Sequence, residues 1–314
     1  MKKLLLVLAA MCAFVTPTFA AKKAKTLKIG VIQLVEHPAL DASYQGFVDA
    51  LAAAGYVDGQ NITIDYQNAQ GEQANCVTIA QKFVNDRCDL ILAIATPAAQ
   101  AVANLTKKIP ILVTAVTDPE SAKLVKSNAK PGTNVSGTSD LTPCAAQIEL
   151  LTKLFPSAKT VGMLYCSNEQ NSFFQIDLAK KACDAKGLKY VDFTVSNSNE
   201  IQQVVQSAAG KVDVLYSPTD NMIAAGMATV GQVSKQIKVP VIVGEEGMCN
   251  QGGVATYGLN YYELGKQTGA MAVDILKNGK KPADMPIQYL SNCDLIINEE
   301  MCAALGVTVP ADLK

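Results

Sequence analysis

Short polar segments recur just after runs of β-branched residues, and their residue types are those that hold small charged molecules. Residues 27–32 lead to Gln33 and a turn through His37 and Pro38 to Asp41. Residues 90–95 lead to Thr96, Pro97 and Ala98, and 111–116 to Thr117 and Asp118. In the second half the corresponding segments hold Asn168, Asn171 and Ser172, then Thr219, Asp220 and Asn221, then Glu245, with Asn260 closing the series. Hydroxyls (Thr96, Thr117, Thr219), amides (Gln33, Asn168, Asn260) and helix N-termini suit a carboxylate. The acids Asp118, Asp220 and Glu245 suit an ammonium group. One end for each charge describes a zwitterion, that is, an amino acid. Tyr44, Phe173, Phe174, Tyr216, Tyr257 and Tyr261 are candidates for an apolar or stacking wall.

Each residue also has a plainer use. Thr96, Asp118, Ser172 and Asn221 suit helix N-caps, and capping alone accounts for any one of them. A cap does not exclude function, because the same helix N-terminus attracts a ligand carboxylate. Asp220 and Glu245 also read as solvated acids, His37 as a turn residue before Pro38, and one of Phe173 and Phe174 as core. Convergence on one end of the strands, more than any single residue, points to a site.

The elements that must position these segments alternate. Strand-like runs at 27–32, 62–66, 90–95 and 111–116 are separated by helical patterns at 41–54, 73–85 and 97–107. A stretch rich in Pro, Gly, Ser and Asn follows at 118–142, with a short strand around Val135. The alternation then resumes with helices at 145–154, 172–187, 201–209, 222–235 and 262–276, and strands at 161–165, 190–195, 212–216, 239–243 and 254–259. Terminal strands at 287–290 and 295–298 precede a short helix at 299–305. Two βα series in succession predict an α/β fold of two Rossmann-like lobes with parallel sheets. Ligands of such sheets sit at the carboxyl ends of the strands, and two lobes set those ends across a cleft.

Composition narrows the function. The chain has 314 residues, 49% hydrophobic and 18% charged, which is enough for two cores and too apolar for disorder. With 27 Lys+Arg against 28 Asp+Glu there is no basic excess for nucleic acid. One His and no Trp count against most zinc enzymes and His-dependent triads. No G-x-S-x-G elbow, metal cluster or phosphate loop is present, so neither an enzyme nor a cofactor is expected.

Residues 1–20 read as a signal peptide: Lys2-Lys3, an apolar run at 4–15 too short to span a bilayer, then Thr18-Phe19-Ala20 before the cleavage point. Lys22, Lys23 and Lys25 then form a short polar tether. Lipidation at Cys12 is the alternative, although Met11 fits a lipobox poorly. The mature protein is therefore expected to be exported. Eight cysteines remain in it, an even number that permits disulfides in an oxidising compartment and equally suits buried free thiols.

Gly30-Val31-Ile32-Gln33, Val35 to Asp41, Thr96 to Gln100, Val116 to Pro119 and Val135 to Asp140 together resemble the ABC-transporter substrate-binding family that includes tryptophan- and tyrosine-binding members. Asn171-Ser172, Pro218 to Asn221, Gly244-Glu245 and Gly258 to Gly265 match the same pattern, and the resemblance covers nearly all of 27–310. It implies a type I periplasmic-binding architecture with three hinge crossings, near Thr138, Asn260 and Pro286. The first lobe would then comprise 27–138 plus 261–285, and the second 139–260 plus 286–314. It further implies capture of a small ligand, often an aromatic amino acid (Trp, Tyr or Phe), and delivery to a membrane permease by a monomer in the periplasm. The mechanism would be hinge closure, with Asp220 on the ammonium and Thr96 and Thr117 on the carboxylate. A nucleoside or sugar ligand, or a sensor that docks on a receptor, are the rival readings.

Overall fold

The β-branched runs form strands because neighbours on both faces can bury them, and helices cover those faces. The computed structural model describes residues 26–313. The chain builds β1 (Leu27–Gln33), α1 (Pro38–Ala53), β2 (Ile62–Asn68), α2 (Gln73–Asn85), β3 (Leu90–Ile94), α3 (Thr96–Leu105), β4 (Ile111–Thr114) and β5 (Val135–Ser139). It continues with α4 (Cys144–Leu154), β6 (Thr160–Cys166), α5 (Gln170–Ala185), β7 (Lys189–Val195), α6 (Ile201–Gln206), β8 (Val214–Ser217), α7 (Asn221–Ala225), α8 (Met227–Ile237), β9 (Val241–Val243), α9 (Glu246–Gln251) and β10 (Ala255–Gly258). It ends with α10 (Tyr261–Asn278), β11 (Gln288–Tyr289), β12 (Asp294–Ile297) and α11 (Glu299–Leu305).

Two six-stranded sheets result, in the orders β11-β5-β4-β3-β1-β2 and β12-β10-β9-β8-β6-β7. The first is parallel throughout. The second is parallel except at its edge, where β12 runs antiparallel to β10. Strand order reverses between β1 and β3 in one lobe and between β6 and β8 in the other, and a crevice opens at such switch points. The two α/β lobes have the architecture of type I periplasmic-binding proteins.

Four readings from the sequence change. Residues 286–290, expected in the second lobe, belong with the first sheet: β11 pairs with β5, Ser136 Oγ donates to the Met285 carbonyl, and Met285 and Ile287 are buried in the first core. The pattern at 222–235 is two helices, broken at Gly226, where an added Cβ would lie 2.4 Å from Ile201 Cδ1. The acidic segment after β9, assigned no helix from the sequence, starts one, α9. The last strand, β12, runs antiparallel to β10 at the edge of the second sheet, where the alternation predicts parallel strands. All eight described cysteines are free; seven are buried and Cys293 is half-buried.

Helix α10 returns from the second lobe and lies along α1. Glycines permit that approach: a Cβ at Gly46 would meet the Tyr262 carbonyl oxygen at 2.0 Å, and one at Gly265 the Ser43 carbonyl oxygen at 1.9 Å. Both obstacles are backbone and cannot swing aside. Gly265→Ala therefore forces the helices apart, with an expected loss of about 2–3 kcal/mol. Urea unfolding of the variant measures it, and a midpoint equal to wild type would show that the contact is not tight.

Candidate functional site

The carboxyl ends of β3 and β4 turn sharply before the cleft. Ala95 and Ala115 there have φ of 81° and 53°, in the region that L-residues avoid, so backbone conformation at the cleft is held against local preference. Facing them are the ends of β6, β8 and β9. Between the lobes lies a small cavity of about 10 Å3, so the shut cleft is almost filled by its own side chains and a ligand enters only as the lobes part. The first lobe lines it with His37, Leu40, Ala115 and Thr117, and the second with Asn171, Thr219, Asp220, Asn221, Ala224, Glu245 and Met248. Asp140 and Tyr261, from two of the crossings between lobes, complete the wall.

The lobes are shut on one another. Thr117 and Thr219 hydroxyls lie 3.5 Å apart across the cleft, and Gln175 Nε2 donates to both (3.3 and 2.7 Å). Gln100 donates to Gln170 Oε1 (2.6 Å), Gln170 donates to the Ser121 carbonyl (2.5 Å), and Gln73 to the Asn168 carbonyl (3.1 Å). His37 Nε2 lies 3.4 Å from Asn221 Oδ1.

Four buried carboxylates surround this cavity, and three of them are occupied. Asp220 Oδ1 caps α7 by accepting from Ile223 N–H, and its Oδ2 accepts from Cys166 N–H and Ser172 Oγ (both 2.6 Å). Glu169 accepts from the Asn221 and Met222 N–H groups and from the side chains of Asn171 and Asn221. Glu245 caps α9 through Gly247 and Met248 N–H. Asp140 differs. Its Oδ2 accepts from Tyr261 Oη at 2.7 Å, while its Oδ1, buried, has no hydrogen-bond partner.

Burial sets the protonation of these groups. It raises Asp140 to about 6; the hydroxyls of Tyr261 and Thr117 favour the charged form, the latter without a hydrogen bond to Oδ1. It raises Glu245 to about 7, opposed by the two backbone N–H groups. Glu169 and Asp220 are both raised, chiefly by burial, and Asp220 adds its own charge against Glu169. Burial lowers His37 to about 4, so its ring is neutral. Asn221 directs its amide N–H to Glu169 and its Oδ1 to His37, which puts the imidazole proton on Nε2. Nδ1 is then a bare acceptor, and it has no partner.

Residues 28–314 match the family model described as ABC transporter substrate binding protein. The chain belongs to this family. Substrate-binding proteins of this kind are extracytoplasmic, and no helix among the described residues is long and apolar enough to cross a membrane. A relative named tyrosine-binding protein, from Clostridioides difficile (strain R20291), is 46% identical over 283 residues, 90% of this chain and 82% of that one. A solved ABC domain from Streptococcus pneumonia in complex with L-Trp is 40% identical with a TM-score of 0.88, covering 92% of this chain and 97% of that one. A ligand-free, open structure of a substrate-binding protein with adhesive properties from Clostridium difficile is 49% identical, covers 91% and 97%, yet has a TM-score of only 0.69. That structure is open, whereas here the lobes are hydrogen-bonded together.

In this substrate-binding protein six of the sequence-derived residues line the cavity: Thr117, Asn171, Thr219, Asp220, Asn221 and Glu245. Two lie behind it: Ser172 holds Asp220, and Thr96 is buried in the first turn of α3 with its hydroxyl unpartnered. Gln33 is buried under α1, where it donates to Asp41 and to the Val35 carbonyl. Ala98 is core, and Pro97 faces a separate outer cleft with Asn168. Asp118 is no wall residue; it ties its own loop through Ser121 N–H and the Asn128 side chain. Asn260 is an exposed cap of α10. Of the aromatic candidates, Tyr261 lines the cavity. Tyr216 is core and bonds Gln147, Tyr44 stacks on Tyr66 at 4.6 Å, and Phe173 packs edge-on against Tyr165. Sequence reasoning left His37 and Asp140 out of the site. Asp140 follows β5 as Thr117 follows β4, so the strand-end rule reaches it once β5 is drawn to Ser139.

The raised acids fix the sign of the pH dependence. In the unfolded chain Asp140 and Glu245 ionise near 3.8 and 4.5, and in the folded one near 6 and 7. The folded state therefore holds more protons in between, and ligand-free stability falls as pH rises from about 4 to about 7. His37, lowered from 6.5 to about 4 by burial, works the other way and gains stability as pH rises through that range, but Asp140, Glu245 and Glu169 together outweigh it. Asp65, Glu200 and Asp274 also oppose the trend but are largely solvent-facing and offset little. Thermal unfolding of ligand-free protein is expected at a lower temperature at pH 8 than at pH 5; the reverse order would contradict these assignments.

Proposed function

We propose that this protein is the solute-binding component of an ABC importer, that it captures an aromatic amino acid by hinge closure, and that it delivers the ligand to a membrane permease without chemical change. One observation carries the assignment of the cavity: Asp140 keeps an unpartnered, buried carboxylate oxygen on its wall. An ammonium group is the partner that such an oxygen lacks. Asp220, the sequence-derived choice for this role, already accepts three hydrogen bonds from its own lobe, so the reading moves the ammonium to Asp140. The ligand carboxylate is placed at the start of α1, which carries no side-chain cap and brings His37 and Leu40 to the cavity. Tyr261 supplies an aromatic face. The tyrosine-binding relative and the L-Trp complex support the aromatic class. Likenesses to structures holding 5-methylthioribose or myo-inositol are at 16% identity and speak only for the fold.

Closure follows from the same contacts. A ligand that touches both lobes gains interactions in the shut form that it lacks in the open one, and this difference shifts the equilibrium. Export through the signal peptide at 1–20, with lipidation of Cys12 as the alternative, completes the reading and lies outside the described residues; so do the lysines that follow it. A periplasmic monomer is the form that engages a permease with both lobes. N-terminal sequencing of the exported protein is expected to begin at Ala21.

Refolded, ligand-free protein is expected to show a selective rise in unfolding temperature with Trp, Tyr or Phe, about 2.7 kcal/mol at a hundredfold excess over the dissociation constant. A shift with nucleosides or sugars alone would reject the amino-acid reading. Asp140→Asn keeps the shape and the Tyr261 bond but removes the charge, and calorimetric titration is expected to show about 2–5 kcal/mol of binding lost. A loss below tenfold would remove Asp140 from the site.

A further inference from the structure

Three buried polar atoms of the cavity wall have no hydrogen-bond partner, and all three are acceptors. They are His37 Nδ1, Asp140 Oδ1 and Asn171 Oδ1. His37 is an acceptor there because its proton faces Asn221. Asn171 uses its amide nitrogen on Glu169 and the Thr219 carbonyl, leaving only the oxygen. The residues bearing these atoms are each more than nine-tenths buried. A wall of this kind asks its occupant for donors, and a protonated primary amine has three.

The other charge of an amino acid meets no counterpart. No lysine or arginine lines the cavity. The chain has a single arginine, Arg87, and it is exposed beyond the end of α2. The one imidazole is neutral, held so by burial. Around the cavity stand four acidic side chains, from Asp140, Glu169, Asp220 and Glu245, and none of them supplies a positive charge. What remains for the ligand's carboxyl end are the backbone N–H groups at the start of α1 and the wall hydroxyls, and these can donate to a neutral carbonyl oxygen in the same geometry as to an anionic one.

We infer that the amine is the obligate determinant of recognition and that the carboxylate is not read as a charge, so the site also takes aromatic amino acids whose carboxylate is capped as a neutral amide. This inference rests on the reading of the cavity as an aromatic amino-acid site. The ligand class is thus aromatic primary amines carrying an α-carbonyl group, of which free amino acids are one kind.

Calorimetric titration of the refolded, ligand-free mature protein tests it with three probes: L-phenylalanine, L-phenylalaninamide and 3-phenylpropanoate, each repeated in the tyrosine and tryptophan series. The titrations are run at about pH 6.5, below the usual pKa of an α-amine. The amide is expected to bind within tenfold of the free amino acid, and the deaminated acid at least a hundredfold more weakly. An amide more than tenfold weaker than the amino acid, or a deaminated acid less than a hundredfold weaker, overturns the inference while leaving the amino-acid function standing. Binding by none of the amino acids or amides rejects the function itself and the inference with it. Binding by amides but not by amino acids rejects the amino-acid function and retains the amine requirement.

Discussion

A helix that starts inside a protein leaves its first backbone N–H groups without partners, and something at the cleft must answer them. The two lobes answer differently. In the second, carboxylates do so at two helix starts, Asp220 and Glu169 at α7 and Glu245 at α9, while α5 begins uncapped. In the first, α1 and α3 begin with no side-chain cap at all, preceded by His37 and by Ala95 in a left-handed conformation. The acids of the second lobe are therefore structural before they are anything else. They are costly to bury and are held by the donors they satisfy. The first lobe keeps its helix starts unclaimed by side chains. This division gives the cavity its polarity and leaves the odd carboxylate, Asp140, on a crossing rather than on either lobe.

Most of the fold was legible because each strand is short, β-branched and bounded by turn residues. Residues 90–95 and 111–116 can be nothing else, and β3 and β4 are buried at every position. What failed was membership rather than type. The run at 287–290 reads as a strand equally well in either sheet; burial of Met285 and Ile287 beside β5 decides the matter, and that is a contact across about 150 residues. The helix after β9 escapes the sequence reading because it is six residues long and contains a glycine.

The site was legible only in outline. Strand ends fall at the cleft by topology, so Thr117, Thr219 and Asn221 could be named in advance. Which polar atom is spare is a different kind of fact. Asp220 and Asp140 are both acids after strands, and only their neighbours separate them: Cys166 N–H and Ser172 Oγ fill one Asp220 oxygen, while Tyr261 leaves one Asp140 oxygen free. Those partners lie 54, 48 and 121 residues away in sequence. No pattern within a short window carries that information. The aromatic residues fail for the same reason, since Tyr216, Tyr44 and Tyr261 look alike until their surroundings are known.

The seam between α1 and α10 joins the beginning of the chain to its end. The first sheet is not finished until α10 and β11 return to it, and the second lacks its edge until β12 is in place. A chain emerging N-terminus first thus has neither lobe complete until its last fifty or so residues are available. Long-range closure of this kind is slow compared with local folding. Both half-built sheets would expose unpaired edges and apolar faces in the meantime. Synthesis, translocation and folding are thereby tied to a common finish. A ribosome or protease that stops near residue 260 yields two orphan halves, not one good domain and one missing.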